Sequence, residues 1–384
     1  SAGTWQLRIC DDEASDLGSY QRARLVLRDD TTSLTAACGV GLSFDWGTNG
    51  NGNPFTSTSL NGITISQGAT SGEAPTDSGS GLPSFVTRTG TLGAHAGYYV
   101  LGMDTSGDTE RSAEATVFTF SEPVLGLTFY LLDVDTGTFE DYVRIDALDS
   151  GGGLVPKQAA LQGTLALAGD WTEADNNVGA ASTNGNVSYT FDGPVASIRV
   201  QYAQGDQPQS NSQFQNIGIS DFSFCALDYG DAPAGYVTTF AAGGARHGLG
   251  DRSLYLGTRP DGEADGVPDV AANSDGADED AVTLPTLVSL PTPHFECGSY
   301  AAAIDEFCVS VAVVNGAATA AQLVGWFDAN GDGDFNDADE RSRAALGNGS
   351  GGAGDATFST GNIPAASSGS VVLVWGGMTA ITQN

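Results

Sequence analysis

Positive charge is scarce in this sequence. Lys and Arg together number 14 against 47 Asp and Glu, and Lys157 is the only lysine, so the formal net charge is -33. A polyanion cannot gain the release of counterions that drives binding to phosphate backbones, and the sequence holds no local cluster of arginines. Nucleic acid is therefore excluded as a partner, and anionic membrane surfaces are disfavoured. We interpret most of the acids as solubilising surface charge, and the denser clusters as ligands for a cation.

Long apolar runs and catalytic motifs are also missing. No stretch approaches the roughly 18–20 consecutive apolar residues that span a bilayer. The three histidines (His95, His247 and His294) stand far apart, and neither H-E-x-x-H, G-x-S-x-G nor a glycine-rich phosphate loop with a lysine occurs. We therefore expect no membrane span and no enzyme activity. A carboxylate pair for glycoside hydrolysis stays open in so acidic a chain, but no particular pair is indicated.

Zinc ligation is not indicated, because the cysteines form no C-x-x-C motif and have no histidine nearby. Disulfides, and with them an extracellular or cell-surface location, are the better interpretation. A local bridge is expected between Cys297 and Cys308. For the remaining three, the sequence permits either Cys10 with Cys38 or Cys38 with Cys225, and one of the five thiols is left over.

The apolar residues that are present alternate with polar ones. Leu42, Phe44 and Trp46 follow this period of two, and separate strands are predicted at Thr116 to Phe120 and at Leu125 to Leu132. The 53 glycines lie with Asn, Asp and Ser in clusters typical of turns, and amphipathic helices are almost absent. The sequence predicts an all-β protein of tandem antiparallel β-sandwich or jelly-roll modules with long Gly/Asp-rich loops.

Composition divides the chain into three segments. Residues 1–37 contain one hairpin, which is too little to fold alone, and a linker. Residues 38–225 hold enough strands for a complete sandwich. From residue 226 to residue 384 the composition changes to acidic turns and Ala-rich strands, which predicts a third module.

The clearest metal-binding pattern follows the apolar run that ends at Phe327. Ca²⁺ takes 6–8 oxygen ligands. In a calcium loop, oxygens at positions one, three, five and seven and a carboxylate at position twelve surround one ion, and a glycine at position six allows the turn. Because the preceding residues form a predicted strand, we expect a calcium loop on a β scaffold. Its candidate ligands are Asp328, Asn330, Asp332, Asp334 through its carbonyl, Asn336 and Asp339.

A second cluster of acids alternates with glycines earlier in the third segment. Calcium binding and a solvated acidic loop are both open there, because carboxylates that repel one another without a cation would stay loosely ordered. The candidate ligands are Asp261, Glu263, Asp265, Asp269, Asp275, Asp278 and Asp280.

A third cluster surrounds one turn of the middle segment. Asp133 and Asp135 end an apolar strand, and Glu140 and Asp141 begin the next. Four carboxylates around one turn suit a structural cation and a purely polar turn equally well.

Four aromatic residues of the middle segment raise an alternative function. Exposed on one surface, they would form a platform for sugar rings, although an interpretation as core or sheet-face residues is favoured. They are Tyr130, Tyr142, Trp171 and Tyr202.

Two stretches resemble known bacterial modules. Asp228-Tyr-Gly-Asp-Ala-Pro233, followed by Ala245-Arg-His247, resembles the opening of cell-surface modules of the GEVED family, and Trp326 to Asn336 is similar to the calcium-type loop of that family. The closing Gly-Glu-Val-Glu-Asp signature is missing, which implies that the last sandwich is incomplete at its C-terminal end.

Residues 3–27 resemble the closing strands of the P domain that follows subtilisin-like proteases. The middle segment looks like sandwich modules of similar surface proteins.

These resemblances imply adhesion or structural work. We expect a secreted, calcium-stabilised protein of a cell surface or extracellular matrix, whose partners are other copies of itself, matrix components or glycans. Open sheet edges invite strand addition from a neighbouring copy and hence filaments. The alternative is a set of carbohydrate-binding modules from a secreted hydrolase or adhesin.

Overall fold

The computed structural model confirms the all-β fold class. It describes residues 41–68, 85–103, 114–137, 139–163, 165–205, 215–250, 252–274, 281–283, 286–288, 294–297, 300–301, 306–326, 356–358 and 362–376. Within these ranges the regular structure consists of β-strands and one 3₁₀ turn, Trp46–Asn49, in which the N–H of Gly47 donates to the Asp45 side chain. The predicted hairpin of residues 1–37 lies outside them.

Fifteen of the described strands lie before residue 226 and form one β-sandwich. They are β1 (Leu42–Phe44), β2 (Ser57–Leu60), β3 (Ile63–Gln67), β4 (Val86–Leu92), β5 (His95–Met103), β6 (Glu114–Leu132), β7 (Asp141–Leu148), β8 (Leu154–Val155), β9 (Lys157–Leu161), β10 (Ala166–Ala168), β11 (Trp171–Glu173), β12 (Val187–Phe191), β13 (Val195–Gln204), β14 (Gln215–Ile219) and β15 (Phe222–Cys225).

The two sheets of the sandwich share strand β6, which is 19 residues long. Its first half pairs with β3 and β13, and β13 continues through β7 and β11 to β10. Its second half pairs with β12, β14 and β15, and the same sheet continues to β9, β5, β4 and β1. All of these pairings are antiparallel. The register against β13 shifts between Val195 and Ser197, and opposite this shift β6 passes from one sheet to the other.

Aromatic side chains fill the space between the sheets. Trp46 is completely buried, its ring contacts those of Phe118 and Phe222 at centroid distances of 5.4 and 5.1 Å, and its indole N–H donates to the Ser220 carbonyl at 2.8 Å. The period of two in β1 explains this arrangement, because Leu42 and Phe44 point inward while Ser43 is exposed.

The remaining strands form smaller sheets. The longest pairing among them joins β23 and β27. Val309, Val311, Val313 and Val371 of these strands pack with Leu373 in a second apolar core. The sheet order is β18–β23–β27–β25, with β19 also beside β23. The strands are β16 (Leu227–Tyr229), β17 (Arg246–Gly248), β18 (Leu254–Leu256), β19 (Val282–Thr283), β20 (Thr286–Val288), β21 (His294–Cys297), β22 (Tyr300–Ala301), β23 (Glu306–Asn315), β24 (Ala321–Gln322), β25 (Ala356–Phe358), β26 (Asn362–Ile363) and β27 (Ser367–Gly376).

Candidate functional site

Four carboxylates do lie around the turn between β6 and β7. Asp133 and Asp135 follow β6, Glu140 precedes β7, and Asp141 begins it. The backbone of Asp133 has a φ of 62°, a left-handed conformation that costs energy for a residue with a Cβ atom. Asp135, Glu140 and Asp141 are all buried. The turn therefore concentrates negative charge where little water is available to solvate it.

Burial and mutual repulsion both favour the protonated forms of these acids. Burial, followed by repulsion from Asp135, raises the pKa of Asp133 to about 6. Burial also raises the pKa of Asp141 well above its usual value, and repulsion from Asp135 and Asp133 adds to this effect. At neutral pH the charged forms of these carboxylates are therefore destabilised by burial and by mutual repulsion. Protonation or a bound cation would relieve this repulsion.

Three carboxylate oxygens of this turn accept hydrogen bonds that help to close it. The backbone N–H of Asp135 donates to Asp141 Oδ2 at 2.9 Å, and the buried Tyr202 hydroxyl donates to the other oxygen of Asp141. The N–H of Val178 donates to Asp135 Oδ2 at 3.1 Å. Oxygen ligands of this kind suit Ca²⁺ chemically, but these three accept hydrogen bonds from N–H and O–H groups of the protein.

The acidic segment after β18 is folded against the chain that follows the sandwich. Glu263 accepts the backbone N–H of Tyr229 at 2.9 Å, and Asp265 accepts that of Phe240 at 2.6 Å. The backbone N–H of Asp269 donates to the carbonyl of Asp231 at 2.8 Å. Three of the predicted ligands thus hold one loop to another by hydrogen bonds, and the fourth described member, Asp261, is also engaged in an interaction.

A buried ion pair, which the sequence analysis missed, fastens this region to the sandwich. Arg252 donates to both carboxylate oxygens of Glu122, at 3.0 Å for the Nη1–Oε1 pair, and also to the carbonyl of Pro260 at 2.9 Å. The two side chains are only 4% and 13% exposed. Glu122 lies in β6 where that strand passes between the sheets, so the pair joins the centre of the sandwich to the segment after residue 226.

The strongest predicted metal site, from Asp328 to Asp339, lies outside the described residues, as do Asp275, Asp278 and Asp280. In the part of the chain that the structure describes, no group of three or more His, Cys, Asp or Glu side chains is placed to hold a metal ion. The calcium sites therefore stay predictions.

Of the five cysteines, Cys10 and Cys38 lie outside the described residues, whereas Cys297 ends β21 and Cys308 lies in β23. Cys225 is completely buried and disulfide-bonded. Its strand pairs with β1 in a register that places Leu42 opposite Phe224. Both pairings that the sequence permits, Cys10 with Cys38 and Cys38 with Cys225, stay predictions, as does the bridge between Cys297 and Cys308.

The four aromatic residues do not form a common platform. Tyr202 is completely buried and Tyr142 is nearly so, stacked on Trp171 at a centroid distance of 4.5 Å. Tyr130 lies on the other sheet against His95, at 4.4 Å. Their interpretation as core and sheet-face residues therefore agrees with the structure.

No helix in the described ranges has the length and apolar character to cross a membrane. Comparison of the chain with protein-family models, with curated proteins and with solved structures found no significant match. The resemblances to GEVED-type and P-domain modules therefore stay expectations from the sequence.

Proposed function

We propose that this chain is a secreted structural and adhesive protein of a cell surface or extracellular matrix, stabilised by calcium and without a catalytic role. The observation that supports this best is that several acidic side chains connect distant parts of the chain by hydrogen bonds. Glu263 and Asp265 hold loops together, and Glu122 anchors the following segment to the sandwich. The acidity of the chain thus contributes to its architecture as well as to its solubility.

Calcium would act on the same architecture. Clustered carboxylates repel one another, and a divalent ion that binds only the folded arrangement converts binding free energy into folding free energy. Extracellular modules bind calcium in the range of about 10⁻⁴–10⁻³ M, so the ion would be bound outside a cell and absent inside it. The loop from Asp328 to Asp339 supplies the best spacing for such a site.

The contact between the sandwich and the next segment suits a structural role in which the chain resists mechanical force. A bidentate arginine–carboxylate pair fixes both distance and orientation, since two parallel hydrogen bonds resist rotation as well as separation. Arg252 and Glu122 form such a pair at a buried position. Contacts of this kind can keep consecutive segments of the chain in a fixed arrangement, and so keep an adhesive surface at a fixed distance from the cell.

Native mass spectrometry in millimolar Ca²⁺ tests the calcium part of this proposal. We expect the intact chain to carry at least one calcium ion, and Asp332→Asn to lower the occupancy by about tenfold, because it removes a charged ligand from the centre of the predicted loop. The matched control is Asp175→Asn, which changes an exposed aspartate of the sandwich in the same way and should leave the ion count unchanged. An intact chain without calcium, or equal occupancy in both variants, contradicts the proposal.

A further inference from the structure

A cleft of about 420 Å³ opens at one edge of the sandwich, where strand pairing along β7 is interrupted. Residues Tyr142 to Arg144 of β7 pair with β11, and Ala147 and Leu148 pair with β8. Ile145 and Asp146 lie between these two pairings. The volume falls within the roughly 300–1,000 Å³ typical of sites for small molecules.

The walls of the cleft are apolar and accessible. Leu154 and Leu167 both line it and are 67% and 52% exposed. Val155, Ala147 and Ala159 form smaller apolar surfaces beside them. The exposed leucines lie on β8 and β10 and give a ligand an apolar face to cover.

The polar side of the cleft carries both signs of charge. The Arg144 guanidinium lies 2.9 Å from Asp146 and 3.8 Å from Asp170. Lys157, the only lysine of the chain, donates to the carbonyl of Ile145 in the gap and lies 4.0 Å from Asp146. Of these charged residues, Asp146, Lys157 and Asp170 line the cleft, and Arg144 pairs with both aspartates from outside the lining. With Arg144 included, two cations and two anions balance here, although the chain as a whole carries a charge of -33.

This combination selects a particular ligand chemistry. A strongly anionic ligand would meet Asp146 and Asp170, whereas a cation would meet Lys157 and two aspartates already paired with Arg144, so neither gains a large net attraction. A fully apolar ligand would leave these polar groups without water or a partner. A neutral molecule with many hydroxyl groups can donate to the carboxylates, accept from the ammonium group and place its C–H surface on the leucines.

We propose that this cleft binds a neutral saccharide, with Asp146, Lys157 and Asp170 as hydrogen-bond partners and Leu154 and Leu167 against the sugar ring. The site goes beyond the structural role proposed above and does not depend on calcium. It would give the protein a defined adhesive contact with glycans. In this proposal the glycan binds in the cleft and not on the four aromatic residues considered in the sequence.

The single lysine makes the cleft directly observable. In the full-length chain, the rate at which an N-hydroxysuccinimide ester acetylates Lys157 is measured by mass spectrometry, with and without neutral gluco-, galacto- and manno-oligosaccharides. At about ten times Kd, a saccharide in the cleft should slow acetylation of Lys157 by about tenfold. Titration calorimetry with the same probes gives the affinity, and both experiments are repeated in EDTA.

Two variants locate the site. Asp170→Ala removes a hydrogen-bond acceptor whose side chain is 65% exposed, and Leu167→Ala removes part of one wall. Asp170→Ala should weaken binding by about tenfold, because a hydrogen bond to a charged group is lost. Leu167→Ala should weaken it by a similar factor, because apolar contact with the sugar ring is lost. The control is Leu254→Ala, because this leucine is 51% exposed but lies on β18, in a different sheet.

Unchanged affinity in Leu254→Ala together with weaker binding in the two cleft variants supports the proposal. It is overturned if no neutral saccharide protects Lys157, if Asp170→Ala and Leu167→Ala bind as the parent does, or if uronic-acid oligosaccharides bind more tightly than neutral ones. Binding that persists in EDTA separates this site from the calcium proposal, because the cleft contains none of the predicted calcium ligands.

Discussion

Individual carboxylates in this chain accept hydrogen bonds from nearby backbone amides. Asp45 accepts the N–H of Gly47 at 2.6 Å, and Asp265 accepts that of Gly266 at 2.8 Å as well as that of Phe240. Asp next to Gly is typical both of such turns and of calcium loops, because both need a short oxygen-bearing side chain and a flexible backbone. The sequence therefore located the acidic clusters but could not distinguish these two uses.

The ion pair between Arg252 and Glu122 was beyond prediction for a different reason. The two residues are 130 positions apart, and neither belongs to a motif. Glu122 is placed by the register shift in β6, where Pro123 cannot donate a ladder hydrogen bond. Only the folded sandwich brings this position next to Arg252.

Breaking this pair on one side should destabilise the protein strongly. We expect Arg252→Met to lower the free energy of unfolding by about 3 kcal/mol, because the charge of Glu122, whose side chain is only 13% exposed, loses this partner. Urea denaturation monitored by tryptophan fluorescence measures this loss. In the double variant Arg252→Met with Glu122→Gln, much of the stability should return. A single variant as stable as the parent would show that the pair contributes nothing.

Asp221 should make the stability depend on pH. Burial, followed by repulsion from Asp45, raises its pKa to about 6, although the N–H of Trp46 donates to it at 2.9 Å. Because the folded state binds this proton more tightly than the unfolded state, stability falls as the pH rises from about 4 to about 6 and levels off at higher pH. Asp221→Asn keeps the acceptor for Trp46 and removes the charge.

We therefore expect Asp221→Asn to be more stable than the parent at pH 7.5, by about 1 kcal/mol after allowing for solvent screening at this half-buried position. At pH 4 the two proteins should unfold at the same denaturant concentration. Urea midpoints at several pH values provide the comparison. An Asn variant that is less stable at pH 7.5, or a difference that persists at pH 4, rules out this role for Asp221.

Among the elements, strand β6 departs most from the sequence prediction. Two strands were expected, at Thr116 to Phe120 and at Leu125 to Leu132, whereas the structure has one strand from Glu114 to Leu132. In the sequence, Pro123 and Gly126 predict an interruption of the strand. The strand continues through both residues because it bends and passes here from one sheet to the other. Its first half pairs with β3 and β13, and its second half pairs with β12, β14 and β15.

Gly126 makes this bend possible. Its φ is 59°, a conformation that glycine adopts freely and that costs other residues about 1–2 kcal/mol. We expect Gly126→Ala to lower the free energy of unfolding by about that amount. Gly90→Ala in β4 is the matched control, because a methyl group there has no neighbour within 4 Å. Equal stability of the two variants would contradict the role assigned to the bend.

At the scale of the whole molecule, fold class was predictable and connectivity was not. Alternation of apolar and polar residues in segments such as Leu42 to Trp46 is a local property, so it revealed the all-β class and much of the sandwich core. The contacts that join the acidic segment to the sandwich depend on residues far apart in the sequence. The same holds for the cleft, which forms where β8 and β11 leave a gap along β7.

Thermal unfolding of the intact chain, in 10 mM Ca²⁺ and in EDTA with matched Mg²⁺, tests the central claim most directly. A site that binds only the folded state contributes about 2.7 kcal/mol when calcium exceeds Kd a hundredfold, which corresponds to a shift in Tm of about 5–10 °C for a domain of this size. We expect chelation to lower Tm by that amount, and Mg²⁺ not to restore it. Superimposable unfolding curves in the two solutions would contradict a structural role for calcium in this protein.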